Sequence, residues 1–279
     1  MKLVVTGAGG GLGRAFLSLV PPHHEVVPLA HADLDVADRH AVMRAIPPLA
    51  PDAVLNFAAM TAVDACETDP EAAYRTNAIG PANLAMAVQQ CGGVLLHVST
   101  DYVFDGEKGS PYDELDVPRP ISTYGRSKLG GEVQVRTLLL RHFIVRTALV
   151  FGAGDDYLSR AADRLSRGEA AGGFTDLVGS FTFVRDLASR LLPLVLTGRF
   201  GTYHLAGPEG TTFFDVLSRV KAMAGYAGEV TPQASHEIRR PARRPRNSSL
   251  ASLFVHDLGI EPMPPLDVSL KELIDGRDR

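Results

Sequence analysis

Short apolar runs alternate with stretches of helical periodicity through the first 150 residues of the chain. The runs are apolar on both faces, which is typical of parallel strands buried inside a sheet. The stretches between them repeat apolar residues every three or four positions, as amphipathic helices do. The predicted strands are 2–7, 25–30, 52–59, 93–100 and 143–151, and the predicted helices are 13–20, 38–46, 70–90 and 123–141.

This alternation of strands and helices predicts an α/β fold with a doubly wound parallel sheet. A further helix is predicted over 184–196 and a further strand over 201–207. Beyond residue 150 the rhythm breaks, and helices at 155–167, 212–224, 249–258 and 267–274 are separated by connections rich in glycine and proline. We expect these segments to form a smaller, mostly helical unit that caps the carboxyl ends of the strands.

The composition of the chain argues against nucleic acid, membranes and metal ions as binding partners. The net charge of −4 gives no broad attraction for nucleic acid or membranes, and no run approaches the ~18 uncharged apolar residues of a membrane helix. The two cysteines are far apart, which suits a reducing cytoplasm, and the nine histidines are dispersed. We therefore expect a cytoplasmic protein, a monomer or homodimer, with no metal site and no nucleic-acid or membrane partner.

A glycine-rich loop, TGAGGGLGR (6–14), follows the first predicted strand and opens the first helix. Glycines allow the turn to close and the backbone to approach a pyrophosphate at the positive end of a helix. The loop predicts a Rossmann-like dinucleotide-binding domain over 1–150, completed by about 183–206, with 151–182 and 207–279 as the substrate-binding domain. The loop residues expected to bind the cofactor are Gly7, Gly10, Gly11, Leu12 and Gly13.

The choice between the two nicotinamide cofactors rests on the second strand. A carboxylate at its end would bond the ribose 2′-hydroxyl and select NAD. The predicted strand ends at Leu29-Ala30-His31, and Asp33 and Asp35 come only later. A 2′-phosphate is therefore not repelled, which favours NADP as NADPH and leaves NAD open.

A tyrosine and a lysine four residues apart, Tyr124 and Lys128, share one face of a predicted helix. VSTDYVF (98–104) places Ser99, Thr100 and Asp101 at the carboxyl edge of the sheet, where α/β proteins bind ligands. This set predicts carbonyl reduction: the phenol gives a proton, the ammonium lowers the pKa of the phenol, and Thr100 holds the carbonyl oxygen. The structural alternative is a surface tyrosine beside a solvated lysine.

The chain resembles the extended short-chain dehydrogenases/reductases, and more closely the dTDP-4-dehydrorhamnose reductases. The resemblance runs nearly end to end and rests on TGAGGGLG (6–13), ADLDVAD (32–38), NFAAMTAVDACE (56–67), VSTDYVFDG (98–106), YGRSK (124–128), RTALVFG (146–152) and RRPARRPRNSSL (239–250). Related sugar-nucleotide dehydratases carry Asp-Glu after the threonine, whereas Tyr102 follows Asp101 here, so reduction without elimination of water is expected.

The resemblance implies roles for further residues. Thr100, Tyr124 and Lys128 would be catalytic, and Asn77 would support them. The cofactor would contact Asp35 and Val36 at the adenine and Ala58, Ala59 and Thr61 near the nicotinamide. It would also contact Ser99, Tyr124 and Lys128. The sugar nucleotide would contact Val63, Thr100, Asp101, Tyr102, Leu149 and Asp176.

Several positions depart from the family pattern. Leu149 stands where the family has a tryptophan against the sugar, Leu177 replaces a glutamine, and Phe181 a proline. The expected reaction is reduction of the 4-keto group of a dTDP-4-keto-6-deoxyhexose, and these changes keep open another nucleotide-linked keto sugar. A non-catalytic, NADP-binding regulatory subunit is the alternative of a different class. Ala15 replaces the glutamate that some members use for magnesium, which again predicts no metal.

An arginine-rich segment, IRRPARRPRNSS (238–249), has three interpretations. It could be a solvated loop, it could close over a substrate diphosphate, or it could bind nucleic acid. The absence of interleaved aromatic residues disfavours nucleic acid, and the guanidinium fork suits phosphate.

Overall fold

The computed structural model describes residues 1–276, and a six-stranded parallel sheet lies at its centre. The strand order is β10-β5-β4-β3-β1-β2, which confirms the predicted doubly wound α/β fold. The strands are β1 (Lys2–Thr6), β2 (Glu25–Leu29), β3 (Ala53–Asn56), β4 (Val94–Thr100), β5 (His142–Thr147), β6 (Val150–Phe151), β7 (Ala171–Phe174), β8 (Val178–Ser180), β9 (Thr182–Phe183), β10 (Gly201–His204), β11 (Gly210–Thr212) and β12 (Val230–Gln233).

Helices cover both faces of this sheet, because its central strands are apolar on both sides. On one face Phe16 packs with Leu187 and Leu191, and on the other Val42 packs with Leu84. The helices are α1 (Gly11–Leu17), α2 (Arg39–Ala45), α3 (Val63–Thr68), α4 (Pro70–Tyr74), α5 (Gly80–Cys91), α6 (Thr123–Leu138), α7 (Tyr157–Ser166), α8 (Val184–Leu196), α9 (Phe213–Ala224) and α10 (Leu266–Asp275).

The ends of the central strands bring distant residues to one edge of the sheet. Thr6 at the end of β1 is in register with Asn56 at the end of β3, and Thr100 of β4 is in register with Thr147 of β5. The loops that follow these strands therefore meet at the carboxyl edge, where an open α/β sheet forms its ligand cleft.

A further apolar cluster lies outside the sheet. It joins α7, α9 and α10 through buried side chains that include Leu165, Leu217 and Leu270. Three two-stranded sheets flank these helices. They pair β11 with β8, β12 with β7 and β6 with β9. The assignment of this part of the chain to substrate binding stays a prediction.

Two predicted elements are interrupted. The strand predicted over 143–151 ends at Thr147, because Leu149 has a left-handed backbone with φ 39°, and β6 then pairs with β9 instead of the central sheet. The helix predicted over 70–90 is divided into α4, a π-helical segment Arg75–Ile79 and α5. Asn77 lies in that π-helical segment, and its side chain bonds the backbone of Met60.

Two other predictions from the pattern are wrong. The pattern predicts a helix over 249–258, but only Val255–Leu258 is helical, as a 3-10 turn. Its first residues are extended because the Tyr112 amide donates to the Ser249 carbonyl at 2.8 Å and Ala251 returns a bond to Tyr112. The apolar run of β2 predicts burial on both faces, but the strand lies at the sheet edge and its side chains are half-buried or exposed.

Candidate active site

A cleft runs across the carboxyl edge of the sheet in two adjoining parts. One part, of about 440 Å³, lies beside Thr100, Tyr124 and Lys128. The other part, of about 570 Å³, lies over the end of β2 and is lined by Asp35 and Val36. Both parts share Gly7, Gly10, Phe57 and Ala59, so the glycine-rich loop lies between them.

The glycine-rich loop is shaped by close backbone approaches. Gly7 has φ +70°, and a Cβ there would lie 2.5 Å from the Ala58 nitrogen. A Cβ at Gly13 would lie 2.5 Å from the Gly7 carbonyl oxygen. Only glycine fits these two positions, so the loop stays tight and the first turn of α1 opens on the cleft. This cradle fits a pyrophosphate held by backbone N–H groups.

The three residues predicted to be catalytic line the same part of the cleft. Thr100 ends β4, and Tyr124 and Lys128 lie one turn apart on α6. The start of α6 is fixed by Ser122, whose Oγ accepts from the Gly125 amide at 3.2 Å. Gly125 is required there, because a Cβ would lie 2.1 Å from the Tyr102 carbonyl oxygen. The helix is therefore pressed against the turn after β4, which brings Tyr124 to Thr100.

The environment of Tyr124 differs from the sequence expectation. Burial raises the pKa of Tyr124 above its ordinary value, although a hydrogen bond with Thr100 acts in the opposite direction. The prediction that the neighbouring lysine lowers the pKa of Tyr124 is therefore wrong for the protein without bound cofactor. A phenol with a raised pKa stays protonated at neutral pH, which is the form that a proton donor needs.

Lys128 is almost fully buried, with 2% of its surface exposed. Its Nζ donates to the Val98 carbonyl oxygen at 2.7 Å. Burial lowers the pKa of Lys128 to about 8, and the charge of Glu132 acts to raise it. The ammonium is thus held at the floor of the cleft by the backbone of β4, and it is charged at neutral pH.

Asp101 forms a buried link beside Thr100. The Thr100 hydroxyl donates to Asp101 Oδ1 at 2.9 Å and accepts from the Tyr102 amide at 3.2 Å. The other carboxylate oxygen accepts from the Ser248 hydroxyl. Burial raises the pKa of Asp101 to about 6, although the bonds from Ser248 and Thr100 favour the charged form.

Asn77 ties the cleft wall to the catalytic helix. Its Oδ1 accepts from the Met60 amide at 2.8 Å, and its Nδ2 donates to the Met60 carbonyl at 3.0 Å. The same Nδ2 donates to Ser127 Oγ at 3.0 Å, and Ser127 in turn donates to the Tyr124 carbonyl at 2.8 Å. The loop 57–61 and the backbone of Tyr124 are therefore fixed to each other through one fully buried amide.

A buried ionic group under the site was not found from the sequence. Glu132 lies one turn after Lys128 and accepts from Ser99 Oγ at 2.6 Å and from Arg146 at 2.9 and 2.8 Å. The half-exposed Arg136 also contacts this carboxylate, at 2.5 Å. These contacts join α6, β4 and β5. The sequence feature that could have indicated this group is Arg146 inside the apolar run 143–151. A buried charge requires a charged or hydrogen-bonding neighbour.

Two acidic residues after β3 make long-range contacts that the sequence did not predict. Asp64 forms a paired contact with Arg244 at 2.6 and 2.7 Å and thereby holds the arginine-rich segment. Glu67 accepts from the Thr123 amide at 2.8 Å and so binds the start of α6. The charge of Arg244 also acts to lower the pKa of Tyr102, against the larger raising effect of burial. At Arg244 the arginine-rich segment is thus anchored to the protein and not merely solvated.

The remaining predicted site residues divide into two groups. Gly7, Gly10, Gly11, Leu12, Gly13, Ala59, Thr61, Ser99, Asp101 and Leu149 line the part of the cleft with Tyr124, and Asp35, Val36 and Ala58 line the part over β2. The residues Val63, Tyr102 and Asp176 do not line either part. Val63 begins α3, the Tyr102 ring packs edge-on against the Tyr124 ring, and Asp176 accepts from the Ser235 amide at 2.9 Å.

Leu177 and Phe181 also depart from the family pattern, but neither residue lines the cleft. Leu177 is 7% exposed and Phe181 is 4% exposed. Phe181 packs edge-on against Phe213 in the cluster outside the sheet, with ring centroids 4.9 Å apart. The departure that does lie in the cleft wall is Leu149.

Within residues 1–276, no group of three or more His, Cys, Asp or Glu side chains could hold a metal ion. Over the same residues, no helix has the length and apolar character needed to cross a membrane. Both cysteines, Cys66 and Cys91, are free.

Comparison with known proteins places the chain in a family. Residues 1–278 match the family model described as RmlD substrate binding domain. The chain is similar to the dTDP-4-dehydrorhamnose reductase of Mycolicibacterium smegmatis, with 35% identity, covering 98% of this chain and 85% of the relative. It is equally similar to a probable dTDP-4,6-dihydroxy-2-methyloxan-3-one 4-ketoreductase of Streptomyces antibioticus, with 35% identity over 98% and 94% of the two chains.

A solved structure agrees with these sequence matches. The dTDP-4-dehydrorhamnose reductase of Bacillus anthracis, determined in complex with NADP, has a TM-score of 0.95 and 31% identity, with 99% of each chain covered. The family model and the relatives both span nearly the whole chain. The chain therefore belongs to the dTDP-4-dehydrorhamnose reductase family.

Proposed function

We propose that this protein is an oxidoreductase that uses NADPH to reduce the 4-keto group of a dTDP-4-keto-6-deoxyhexose. The observation that carries the proposal is that Tyr124, Lys128 and Thr100 line the same cleft as the glycine-rich loop. A nicotinamide and a keto sugar can meet in such a cleft. Family membership supports the same reaction, because relatives of similar length are named for it.

The residues of the cleft have separable roles in this proposal. The bound cofactor supplies the hydride. Tyr124 donates its phenolic proton to the carbonyl oxygen, and the hydroxyl of Thr100 polarises the region where the negative charge develops. Lys128, held by the Val98 carbonyl, places a positive charge in the wall of the cleft, where it would help to hold the anionic cofactor. Asn77 and Glu132 hold the elements that carry these groups.

The cofactor assignment rests on both parts of the cleft. The cradle between Gly7 and Gly13 fits the pyrophosphate, and the part lined by Asp35 and Val36 fits an adenosine. No carboxylate ends β2, and Asp33 is engaged with the Ala30 amide at 2.8 Å, so a 2′-phosphate meets little repulsion there. The relative solved with NADP supports NADPH as the preferred cofactor.

A second candidate keeps the chemistry and changes the sugar. Leu149 lines the cleft at a strained backbone position, where the family pattern has a larger aromatic side chain. The Streptomyces antibioticus relative, named for a different keto sugar, is as similar to this chain as the rhamnose-pathway relative. We therefore include other dTDP-linked keto sugars among the substrates to be tested.

The test is direct turnover. Purified protein is mixed with NADPH and a panel of dTDP-4-keto-6-deoxyhexoses, loss of the reduced-nicotinamide absorbance is followed, and the products are identified by NMR. Consumption of cofactor with formation of a 4-hydroxy sugar supports the proposal. Tight NADP binding with no turnover on any sugar would instead support the regulatory-subunit alternative. The intact Thr100, Tyr124 and Lys128 set argues against that alternative.

A further inference from the structure

The loop 152–156, which we call the strap, forms one side of the cleft next to the glycine-rich loop. Ala153, Asp155 and Asp156 of the strap line the part of the cleft beside Tyr124. The strap does not line the other part, over the end of β2. In the proposed binding mode the nicotinamide half of the cofactor occupies the part beside Tyr124. The strap is therefore a wall of that half of the site and not of the adenosine half.

The strap is held at Ala153 by three separate contacts. The Ala153 amide donates to Asp156 Oδ2 at 3.1 Å, and its carbonyl oxygen accepts from Arg14 Nη2 at 3.3 Å. Its methyl group packs directly on Gly11, because a Cβ at Gly11 would lie 2.3 Å from the Ala153 Cβ. The strap thus lies against the first turn of α1 through contacts that the protein makes with its own atoms.

Arg14 joins the strap to the glycine-rich loop. Its Nη1 donates to the Gly9 carbonyl oxygen while its Nη2 donates to the Ala153 carbonyl oxygen. The planar guanidinium presents its N–H donors as a rigid fork, which suits two acceptors at once. Arg14 is exposed and lines neither part of the cleft. Its effect on a ligand must therefore pass through the segments that it holds.

The backbone of the strap needs such a fastening. Gly152 and Gly154, on either side of Ala153, have φ +84° and +96°, in the left-handed region. Glycine has more backbone freedom than other residues, so ordering this segment costs more conformational entropy. The bonds from Arg14 and to Asp156 oppose that freedom.

We propose that Arg14 is a positioning residue for the cofactor, which holds the strap where it forms a wall around the nicotinamide half. A wall that is already in place does not have to be ordered when the cofactor binds, so the affinity is higher. Without Arg14 only a fraction of the molecules would have the wall in place. The apparent dissociation constant would then rise by the inverse of that fraction.

Calorimetry with two ligands tests this inference. NADP fills both parts of the cleft, whereas adenosine 2′,5′-bisphosphate can fill only the part over β2. Arg14→Met keeps much of the side-chain stem and removes the fork. Two hydrogen bonds of ordinary strength correspond to about fivefold or more, so the dissociation constant for NADP should rise about fivefold to tenfold. That for the bisphosphate should change by less than about twofold at about 0.15 M salt, which screens the lost charge.

A matched control and a second variant separate this role from a general effect. Arg141 is also exposed and donates to the Gly92 carbonyl oxygen at 2.7 Å, at the opposite edge of the sheet, so Arg141→Met should leave both affinities unchanged. Asp156→Asn weakens the acceptor of the Gly152 and Ala153 amides and keeps an oxygen to cap α7, so it should also weaken NADP binding. Because both variants act through the strap, the double variant should lose less than the product of the two single losses.

Three results would overturn the inference. Equal losses for NADP and the bisphosphate in Arg14→Met would show that Arg14 acts on the glycine-rich loop or through its charge alone. An unchanged affinity for NADP would show that the strap needs no fastening. Losses that multiply in the double variant would show that Arg14 and Asp156 act separately. The measurement needs no turnover, so a wild type that binds NADP and reduces no keto sugar removes the proposed function and leaves this inference standing.

Discussion

Replacing Arg146 with methionine should destabilise the protein strongly, whereas the same change at Arg136 should not. Both arginines contact Oε2 of Glu132, at 2.8 and 2.5 Å. They differ in burial, because the Arg146 side chain is 2% exposed and that of Arg136 is 36% exposed, while the shared glutamate is fully buried. The pair therefore compares a buried and a half-exposed contact to one carboxylate.

The expected magnitudes follow from that difference in burial. Removing Arg146 takes away the buried counter-charge of Glu132 and two of its hydrogen bonds, and breaking a buried ion pair costs about 3–5 kcal/mol in the free energy of unfolding. A half-exposed pair is screened by water and contributes about 0–1 kcal/mol. Methionine keeps much of the arginine stem in each case, so the loss of apolar packing is similar.

The pH dependence of the Arg146→Met deficit gives a second check. Burial acts to raise the pKa of Glu132, and the hydrogen bonds and charge of Arg146 outweigh it, so the pKa lies below its ordinary value. Without Arg146, burial should raise this pKa. The variant can then relieve the buried charge by binding a proton, and its deficit relative to the wild type should shrink as pH falls from 8 to 5.

Urea unfolding followed by far-UV circular dichroism measures both variants, since the chain has no tryptophan for fluorescence. The midpoint should fall clearly for Arg146→Met and little for Arg136→Met. Equal midpoints for the two variants, or a deficit for Arg146→Met that grows at acidic pH, would refute the assignment of Glu132 and Arg146 as a buried ionic link.

Three further predictions concern the cleft. Gly13→Ala should abolish measurable NADP binding by calorimetry, because the added Cβ would lie 2.5 Å from the Gly7 oxygen. Gly92→Ala strains only its own backbone, at φ +69°, and its Cβ meets no atom within 4 Å, so this control should bind NADP normally. Asn77→Ala should lower turnover at least tenfold with a smaller loss of folding stability, because it releases Met60 and Ser127 together; an unchanged turnover would contradict this positioning role. Raising pH through about 8 should weaken binding of the anionic cofactor as Lys128 loses its charge, and a titration flat to pH 9 would contradict it.

The pattern of apolar residues predicted most of the fold, because buried parallel strands and the helices between them each have a distinct local periodicity. What the local pattern could not give was the environment of each element. Strand β2 has the same apolar composition as its neighbours but lies at an edge, and the end of the run 143–151 depends on the left-handed Leu149. The segment 249–258 has a helical pattern but is extended by its bonds to Tyr112.

The sequence predicted those site residues that lie together in one short segment, as in the glycine-rich loop and in Tyr124 with Lys128. It did not predict the contacts in which two distant side chains complete each other. Ser248 reaches Asp101 across 147 positions, and Arg244 reaches Asp64 across 180. The direction of the Tyr124 pKa shift also depends on burial, which is a property of the folded chain and not of the Tyr-Lys spacing.

The central claim is that the phenol of Tyr124 is the proton donor for a keto sugar bound in this cleft. The most direct test is Tyr124→Phe, with NADP affinity and turnover measured on the same preparation. Because phenylalanine keeps the ring and removes only the hydroxyl, NADP affinity should change by less than about threefold, while turnover should fall by about 10²-fold or more. Turnover within about tenfold of the wild type, with affinity unchanged, would contradict the claim.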